Sequence, residues 1–409
     1  MYASFSRLAA WVTVIASLSA DPAWAQKKYD PGASDTEIKI GHFAPYSGPA
    51  SAFSVVGKVE AAYFKMINDH GGINGRQVRF VSYDDGYSPP KAVEQVRKLV
   101  ESDEVLLVFN GLGTPSNSAI QKYMNAKRVP QLFVASGATK WGDPKTFPWT
   151  MGWQPPYQSE ARIYAKYLLQ ERPDAKIAVF YQNDDFGRDY LKGLKDGLGD
   201  KASSMIVAES SYEVSEPTID THVVKLRDSG ADVFANFASP KFAAQAIRKM
   251  AEVKWNPVHI LNNTASSIGS VIKPAGPENA QGIISAAFTK DSSDEQWNSD
   301  EWMKMFYAFM DEYAPNVSRS EILAVYAYGV ASTLVQTLQQ CGDDLTRTNV
   351  MKQAASLKNY RNEALLPGVT INTGPDDFYP IEQLRLMRFK GDKWDLFGET
   401  ISGEIGGNQ

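Results

Sequence analysis

Apolar residues alternate with polar ones in some segments of the chain and recur at helical spacing in others, and the two patterns follow each other in regular order. Ile38 and Ile40 alternate with polar neighbours over 37–43, and 56–68 then carries apolar residues at helical spacing before Gly71. This succession predicts a strand followed by a helix. It continues with strands over 78–83, 105–110 and 131–134 and with helices over 91–100 and 116–127.

The alternation of strand and helix patterns stops between residues 144 and 156, where prolines are interleaved with Trp149 and Trp153. It begins again with a helix predicted over 158–171. Alternating strands and helices form parallel sheets with helices on both faces. The pattern therefore predicts an α/β fold with two doubly wound parallel-sheet lobes in tandem. The predicted elements of the second half are strands over 176–181, 205–212, 233–237 and 258–261 and helices over 188–198, 218–227 and 242–253.

The last part of the chain has a different pattern. Beyond a strand-like segment over 282–288, helices are predicted over 301–313, 321–340 and 349–356, and a strand-like segment covers 383–397. These elements must be shared between the two lobes. Periodicity alone does not assign their pairing.

The first 25 residues have the composition of an export signal. Arg7 supplies a positive charge, an apolar run follows over 8–18, and Ala23-Trp24-Ala25 offers the small residues of a cleavage site. The alternative is an anchoring helix, which needs about 20 uninterrupted apolar residues, and polar residues break this run earlier. We therefore expect residues 1–25 to be a signal peptide cleaved after Ala25, and the mature protein to be free in the periplasm.

Composition excludes several kinds of chemistry. The 409 residues include 42 basic and 47 acidic side chains, and the resulting net charge of −5 gives no electrostatic reason to expect nucleic acid. Cys341 is the single cysteine, so the chain has no internal disulfide or cysteine-rich metal site, and the four histidines lack ligand spacing. No phosphate-loop, dinucleotide-binding or nucleophile-elbow motif occurs. We expect no catalytic residue, metal or cofactor, and a binding protein rather than an enzyme.

The ligand of an open parallel sheet binds outside the carboxyl ends of the strands, where loops and helix N-termini meet. The first-half loops at these positions are rich in small and hydroxyl residues, which suit an anion without requiring lysine or arginine. Ordinary connecting loops contain the same residues, so a single loop does not decide between the two interpretations. The loops are 44–53, 84–88, 111–116 and 135–141 in the first half and 182–186, 238–241 and 262–266 in the second.

Aspartate pairs and aromatic residues in or near these loops also leave alternatives open. Asp84-Asp85 and Asp184-Asp185 either perform acid–base chemistry or cap the helices that follow them. The aromatic residues either stack on an apolar ligand or pack in the core. They are Phe53, Trp141, Trp153 and Phe186.

Several motifs resemble those of one family when taken together and in order. They are Ile38 to Gly41, Ser47-Gly48-Pro49, Gly71 to Arg76, Tyr83-Asp84-Asp85, Val129-Pro130 and Ser136 to Thr139. The set is similar to the branched-chain amino-acid type of periplasmic solute-binding protein from ABC importers, the leucine/isoleucine/valine-binding family.

This resemblance implies two lobes joined by three crossing strands, with ligand held between the lobes and hinge closure presenting the liganded form to membrane permease subunits. The crossings are expected near residues 150–153, 282–287 and 366–371. Lobe 1 is then expected to comprise 26–152 plus 288–366, and lobe 2 to comprise 153–287 plus 367–409. Carriers of this kind need only be monomers to work, so we expect a monomer.

The resemblance also implies a set of ligand contacts by position. In lobe 1 these lie after the Ser-Gly-Pro turn and in the third and fourth strand-end loops, and in lobe 2 they lie in three further loops. They are Phe53, Gly113, Thr114, Ser136, Gly137, Ala138, Thr139, Phe186, Ser239 and Asn263.

One position departs from the family pattern. Amino-acid-binding members carry an acidic residue, which neutralises the ligand's ammonium group, in the loop that is here Asn262-Asn263-Thr264. A buried ammonium without a paired carboxylate is costly. The sequence therefore favours a carboxylate that lacks the ammonium, with an aromatic or aliphatic body, over a hydrophobic amino acid. Asp184 or Asp185 offers an alternative partner for an ammonium.

Three functions remain to be distinguished. The first is a periplasmic carrier that delivers a small organic solute to an ABC permease. The second is the ligand-sensing module of a signalling system, because the same fold serves as a receptor ectodomain. The third is an exported hydrolase that uses the paired aspartates.

Overall fold

The computed structural model describes residues 27–403, and the predicted signal segment lies outside the described residues. The first part of the chain builds a five-stranded parallel sheet in the order β3-β2-β4-β5-β6. The elements of this part of the chain are β1 (Lys28–Tyr29), β2 (Glu37–Ala44), α1 (Ser54–Asp69), β3 (Gln77–Asp84), α2 (Pro89–Glu101), β4 (Leu107–Phe109), α3 (Thr114–Lys127), β5 (Gln131–Val134) and β6 (Thr150–Gly152). Strand β1 lies outside the five-stranded sheet.

The second part of the chain builds a larger sheet in the same way. Strands β8, β7, β9, β10 and β11 are neighbours in that order and run parallel. The elements are α4 (Tyr157–Glu171), β7 (Ile177–Gln182), α5 (Asp185–Leu198), α6 (Ala202–Met205), β8 (Ile206–Tyr212), α7 (Asp220–Asp228), β9 (Val233–Phe237), α8 (Pro240–Glu252), β10 (Val258–Leu261), α9 (Lys273–Ala275) and β11 (Ile284–Ala287).

The last part of the chain is divided between the lobes. Two of its helices pack on α1 in the first lobe and the third packs on one of these two. Its final two strands form an antiparallel hairpin that extends the second sheet beyond β11 to seven strands. The elements are α10 (Glu301–Tyr313), α11 (Ile322–Cys341), β12 (Asp344–Leu345), α12 (Arg347–Ala354), β13 (Gln383–Lys390) and β14 (Lys393–Ser402). The predicted two-lobed α/β fold is confirmed.

The chain passes between the two sheets after β6, after β11 and again before β13. The second and third passages run side by side, because Leu366 N–H donates to the carbonyl of Phe288 at 2.9 Å and Lys290 N–H donates to that of Ala364 at 2.9 Å. Trp153 fills the space next to these passages, where it is fully buried against Phe288. The lobes are therefore connected by paired segments with a packed aromatic core.

Burial explains why the central strands are mostly apolar. Strands β4, β5 and β9 are buried at every residue, as expected for parallel strands covered by helices on both faces. By length and composition, α11 is the one helix of residues 27–403 that is apolar enough to cross a membrane. Most of it is buried in this structure, where it packs against α1 and α12, so it serves as a core helix of the first lobe. Cys341 lies buried at its end.

Candidate functional site

A cavity lies between the lobes at the carboxyl ends of their strands. Measured as the space open to the centre of a water-sized sphere, its volume is about 70 Å³, several times the roughly 10–15 Å³ that one water needs. The cavity is therefore large enough for a small molecule. It is lined by Phe53, Val56, Tyr87, Leu112, Gly113, Thr114, Ala135, Gln154, Tyr157, Phe186, Ser239, Asn263, Thr264, Ser266, Phe288, Thr289, Ile322, Leu323 and Tyr326.

The residues implied as ligand contacts fall into three groups. A second, smaller cavity of about 10 Å³ is bordered by Ser136, Gly137 and Ala138. Thr139 faces neither cavity, because its backbone N–H and its hydroxyl both donate to Asp189, each at 2.8 Å. The remaining six line the main cavity, namely Phe53, Gly113, Thr114, Phe186, Ser239 and Asn263.

The lobe 1 wall is formed by the loop before α3 and by the start of that helix. Gly113 has a φ of 106°, and a Cβ added there would meet the Tyr87 ring at 2.6 Å, so glycine is required for this close approach. Thr114 follows as the first helical residue, and no side chain caps the helix N-terminus. Its hydroxyl lies 2.7 Å from that of Ser136, and the hydroxyl of Tyr157 meets the same pair. The wall thus offers N–H and O–H groups at the positive end of a helix dipole.

The back of the cavity contains a residue from the distant helix α11. Tyr326 is buried, and its hydroxyl accepts a hydrogen bond of 3.0 Å from Asn110 Nδ2. Its ring packs edge-on against Trp153, with ring centroids 5.3 Å apart. The indole Nε1 of Trp153 in turn donates to Thr333 at 3.1 Å. Trp153 therefore supports the wall without lining the cavity.

The lobe 2 wall is held by a buried carboxyl. Glu160 accepts hydrogen bonds from Asn263 N–H at 2.7 Å and from the hydroxyls of Tyr164 and Tyr190, both at 2.8 Å. Burial raises the pKa of Glu160 from its ordinary value to about 7, although these donors oppose the shift. Tyr190 stacks on Tyr157, with ring centroids 4.6 Å apart, so the same carboxyl orders both the Asn263 loop and an aromatic side of the cavity.

The aspartate pairs have the geometry of loop and helix caps. Asp184 accepts the N–H groups of Phe186 and Gly187 at the start of α5, and burial raises its pKa. Asp85 accepts the Ser116 hydroxyl at 2.6 Å, and burial likewise raises its pKa. None of these aspartates lines the cavity.

The described lining of the cavity contains no Asp, Glu, Lys, Arg or His side chain. Asp184 and Asp185 were the alternative partners for a ligand ammonium, and neither borders the cavity; Asp185 instead pairs with Lys140 at 3.1 Å. The electrostatic character of the cavity is therefore set by hydroxyls, amides, backbone N–H groups and apolar side chains. Such a surface accommodates an anionic group at the helix N-terminus and an apolar body beside it.

Several hydrogen bonds cross between the lobes. Lys140 and Ser118 both reach Asp185, and Thr139 reaches Asp189. Closer to the cavity, Gln182 Nε2 donates to the hydroxyl of Tyr87 at 3.3 Å. The structure thus has the lobes in contact around the cavity.

Three tyrosines of the lining were absent from the sequence-based site. Tyr87 lies in a strand-end loop, 84–88, which the pattern had marked without singling out this residue. Tyr157 comes directly after the irregular proline-rich stretch, and Tyr326 belongs to α11. No local signal identifies Tyr326, because only the passage of the chain back into lobe 1 brings α11 to the cavity.

A family model described as periplasmic binding protein matches residues 37–393. The chain belongs to this family. The Leu/Ile/Val-binding protein homolog 1 of Brucella abortus is 23% identical over 322 residues, which cover 76% of this chain and 81% of the relative. The resemblance to the branched-chain amino-acid type is confirmed. A protein of this family binds a solute outside the cytoplasm, so the chain has a solute-binding role and an extracytoplasmic location.

Solved structures share the fold at low sequence identity. A branched-chain amino acid ABC transporter protein from Thermus thermophilus with bound valine has a TM-score of 0.81 at 15% identity, covering 90% of this chain and 97% of that one. A fatty acid ABC transporter substrate-binding protein from Thermomonospora curvata has a TM-score of 0.78 at 19% identity, covering 92% and 95%. The two similar structures have different ligands in their descriptions, so the fold alone does not identify the solute.

Proposed function

We propose that this protein is the solute-binding component of an ABC importer, which captures a small organic carboxylate between its lobes and delivers it to a membrane permease. The observation that carries the proposal is the cavity between the two sheets, bordered by residues of both lobes and free of charged side chains in its described lining. A ligand bound there would contact both lobes at once and stabilise their closed arrangement.

The lining favours an acid without an ammonium group. A carboxylate would be stabilised by Thr114 and the N-terminus of α3. An ammonium would have no carboxylate partner on the cavity surface, because Asn263 is neutral and no acidic residue is among the lining residues. Phe53, Phe186 and Phe288 provide an apolar surface for an aliphatic or aromatic body.

The organisation of the chain is part of the same proposal. Residues 26–152 plus 288–366 would form lobe 1 and residues 153–287 plus 367–409 lobe 2, with an exported monomer arising by cleavage after Ala25. We propose that all ten implied contacts touch the ligand at some stage as the lobes open and close. This includes Thr139, which borders neither cavity in this structure.

The test starts from the purified mature protein. It is denatured, the released small molecules are identified by mass spectrometry, and each is added to refolded protein in thermal-shift and small-angle X-ray scattering measurements. We expect a released or periplasmic organic acid to raise the melting temperature by mass action and to reduce the radius of gyration. Recovery of the solute chemically unchanged is expected of a carrier, whereas turnover would indicate the hydrolase alternative.

A pair of matched variants links binding to the cavity. Thr114→Val removes a lining hydroxyl and is expected to weaken binding of the acid, whereas Thr221→Val makes the same change on the exposed surface of α7 and is expected to leave it unchanged. Failure of every periplasmic solute to stabilise the protein or to close the lobes would contradict the proposal. Deletion of the gene should abolish uptake of the identified solute by cells.

A further inference from the structure

The hydrogen-bond polarity of the lobe 2 wall is determined by a chain of buried groups. Gln182 Nε2 donates to Asp184 at 2.6 Å, so the amide oxygen of Gln182 is the acceptor for the Tyr212 hydroxyl at 3.0 Å. Tyr212 has only this one hydrogen to donate. The 3.0 Å contact between Ser239 Oγ and the Tyr212 hydroxyl must therefore use the hydrogen of Ser239. Ser239, which lines the cavity, has only lone pairs left for a ligand.

The neighbouring loop, residues 262–264, also presents hydrogen-bond acceptors to the cavity, for a separate reason. Asn262 Nδ2 donates to the carbonyl of Ala238 at 2.8 Å, which makes Asn262 Oδ1 the acceptor for the Thr264 hydroxyl. Thr264 thus also offers only lone pairs to the cavity. Asn263 Nδ2 donates to the carbonyl of Ala286, and no hydrogen bond from the described residues reaches Asn263 Oδ1. Three uncharged side chains of lobe 2 therefore present hydrogen-bond acceptors, whereas the hydroxyl of Ser266, which also lines the cavity, has no partner among the described residues and can either donate or accept.

The lobe 1 wall has the opposite polarity. Ser136 Oγ accepts from Ala138 N–H at 3.2 Å and from Trp141 Nε1 at 2.9 Å, which occupies both of its lone pairs. Ser136 must then donate its hydrogen to Thr114, 2.7 Å away. Tyr157 belongs to α4 of the second lobe but reaches this wall, and its hydroxyl and that of Thr114 consequently keep one unused hydrogen between them. Thr114 adds its uncapped backbone N–H.

We infer that the ligand is a 2-hydroxy carboxylate with an apolar side chain, bound with its carboxylate on the donors of lobe 1 and its hydroxyl donating to the acceptors of lobe 2. This inference rests on the proposed function. A carboxylate without a 2-substituent would leave the acceptors of lobe 2 unpaired, and a 2-oxo group would bring a further acceptor against them. A 2-ammonium could donate, but it would have to be buried without a carboxylate on the cavity surface.

The experiment compares four acids on one carbon skeleton by isothermal titration calorimetry. The leucine series consists of 2-hydroxy-4-methylpentanoate, leucine, 4-methyl-2-oxopentanoate and 4-methylpentanoate, and the phenylalanine series supplies the corresponding four compounds with a benzyl group. In the skeleton that binds more tightly, we expect the 2-hydroxy acid to bind best. The unsubstituted acid should bind roughly threefold to tenfold more weakly, which corresponds to the loss of one hydrogen bond.

Two variants test the polarity of lobe 2 directly. Ser239→Ala removes one acceptor and should reduce the preference for the hydroxy acid over the unsubstituted acid, chiefly by weakening binding of the hydroxy acid. Asn263→Asp introduces a negative charge at the acceptor wall and should shift the preference toward the amino acid. Thr221→Val serves as the control on the exposed surface.

Tighter binding of the amino acid, the oxo acid or the unsubstituted acid by the unmodified protein would overturn the inference. Binding of none of the eight compounds would overturn it as well. In each of these cases, a solute released on denaturation that closes the lobes would leave the proposed function intact, so the two failures can be told apart. If Asn263→Asp does not fold, the Ser239→Ala comparison still decides the matter.

Discussion

Glu160→Gln is expected to change how the stability of the protein depends on pH. Glu160 is 3% exposed, and burial raises its pKa from 4.5 to about 7. In the folded protein it therefore keeps its proton over a pH range in which the unfolded chain has lost it. Because its pKa is raised, the contribution of Glu160 to stability is greatest below about pH 4.5 and is lost as the pH rises through about 7.

The size of the effect follows from the pKa. The folded value lies about 2.5 pH units above the ordinary one, and each unit corresponds to about 1.4 kcal/mol. Ionisation of Glu160 thus costs the folded state about 3 kcal/mol at neutral pH and above. The amide of a glutamine resembles the protonated carboxyl, because its oxygen can accept from Asn263 and Tyr164 while its N–H group donates to the Tyr190 oxygen.

The measurement is urea unfolding of the unmodified protein and of Glu160→Gln at a series of pH values from about 4.5 to 8.5. The difference between their free energies of unfolding cancels the titration of all other groups. We expect the free energy of unfolding of the variant, relative to that of the unmodified protein, to increase by up to about 3 kcal/mol between pH 4.5 and 7 and to stay at that level at higher pH. Glu312→Gln on the exposed face of α10 supplies the baseline. A difference that is constant over this range, or that grows toward acid pH, would refute the reasoning.

Three further perturbations have defined outcomes. Asp185→Asn removes the half-exposed ion pair with Lys140 that connects the lobes. It should weaken ligand binding by about twofold to fivefold and change the free energy of unfolding by no more than about 1 kcal/mol. An unchanged affinity in calorimetry would contradict a role of this pair in closure. Burial lowers the pKa of His259 to about 3, so the contribution of His259 to stability should be lost as the pH drops below about 6.5, and the free energy of unfolding of His259→Gln should exceed that of the unmodified protein increasingly toward acid pH in a urea-unfolding series. Gly113→Ala forces a Cβ against Tyr87 at a φ of 106° and should destabilise the protein by about 1–3 kcal/mol in the same assay and weaken solute binding.

Local patterns were sufficient to predict the parallel sheets, because strands such as β4 and β7 are largely apolar runs bounded by turns. Periodicity did not predict the short strand β6, because its three residues carry no period and its pairing with β5 depends on tertiary contacts. Only the family resemblance implied a crossing strand near residues 150–153. The final strand-like segment proved to be the β13–β14 hairpin. Its antiparallel pairing on β11 joins residues roughly a hundred positions apart, which periodicity cannot indicate.

The residues of the site that lie in loops directly after strands could be predicted from the sequence. Phe53 and Ser239 follow strands of the two sheets, and their loops could be found by counting elements. The role of Thr139 depends instead on Asp189, a residue of another helix that takes up both of its donors. Tyr326 comes to the cavity only because the chain returns to the first lobe.

The direction of each hydrogen bond in the cavity wall depends on residues that lie behind the wall and far away in sequence. Ser239 looks like an equal donor and acceptor in the sequence, since a serine hydroxyl can be either. It acts as an acceptor toward the cavity because its own hydrogen is donated to Tyr212, whose single hydrogen is already donated to Gln182. Asp184 orients Gln182 by accepting a hydrogen bond from its Nε2. The hydrogen-bond polarity of Ser239 is therefore set by residues that do not line the cavity, so that substitutions at Tyr212, Gln182 or Asp184 are expected to change ligand preference without altering the cavity surface.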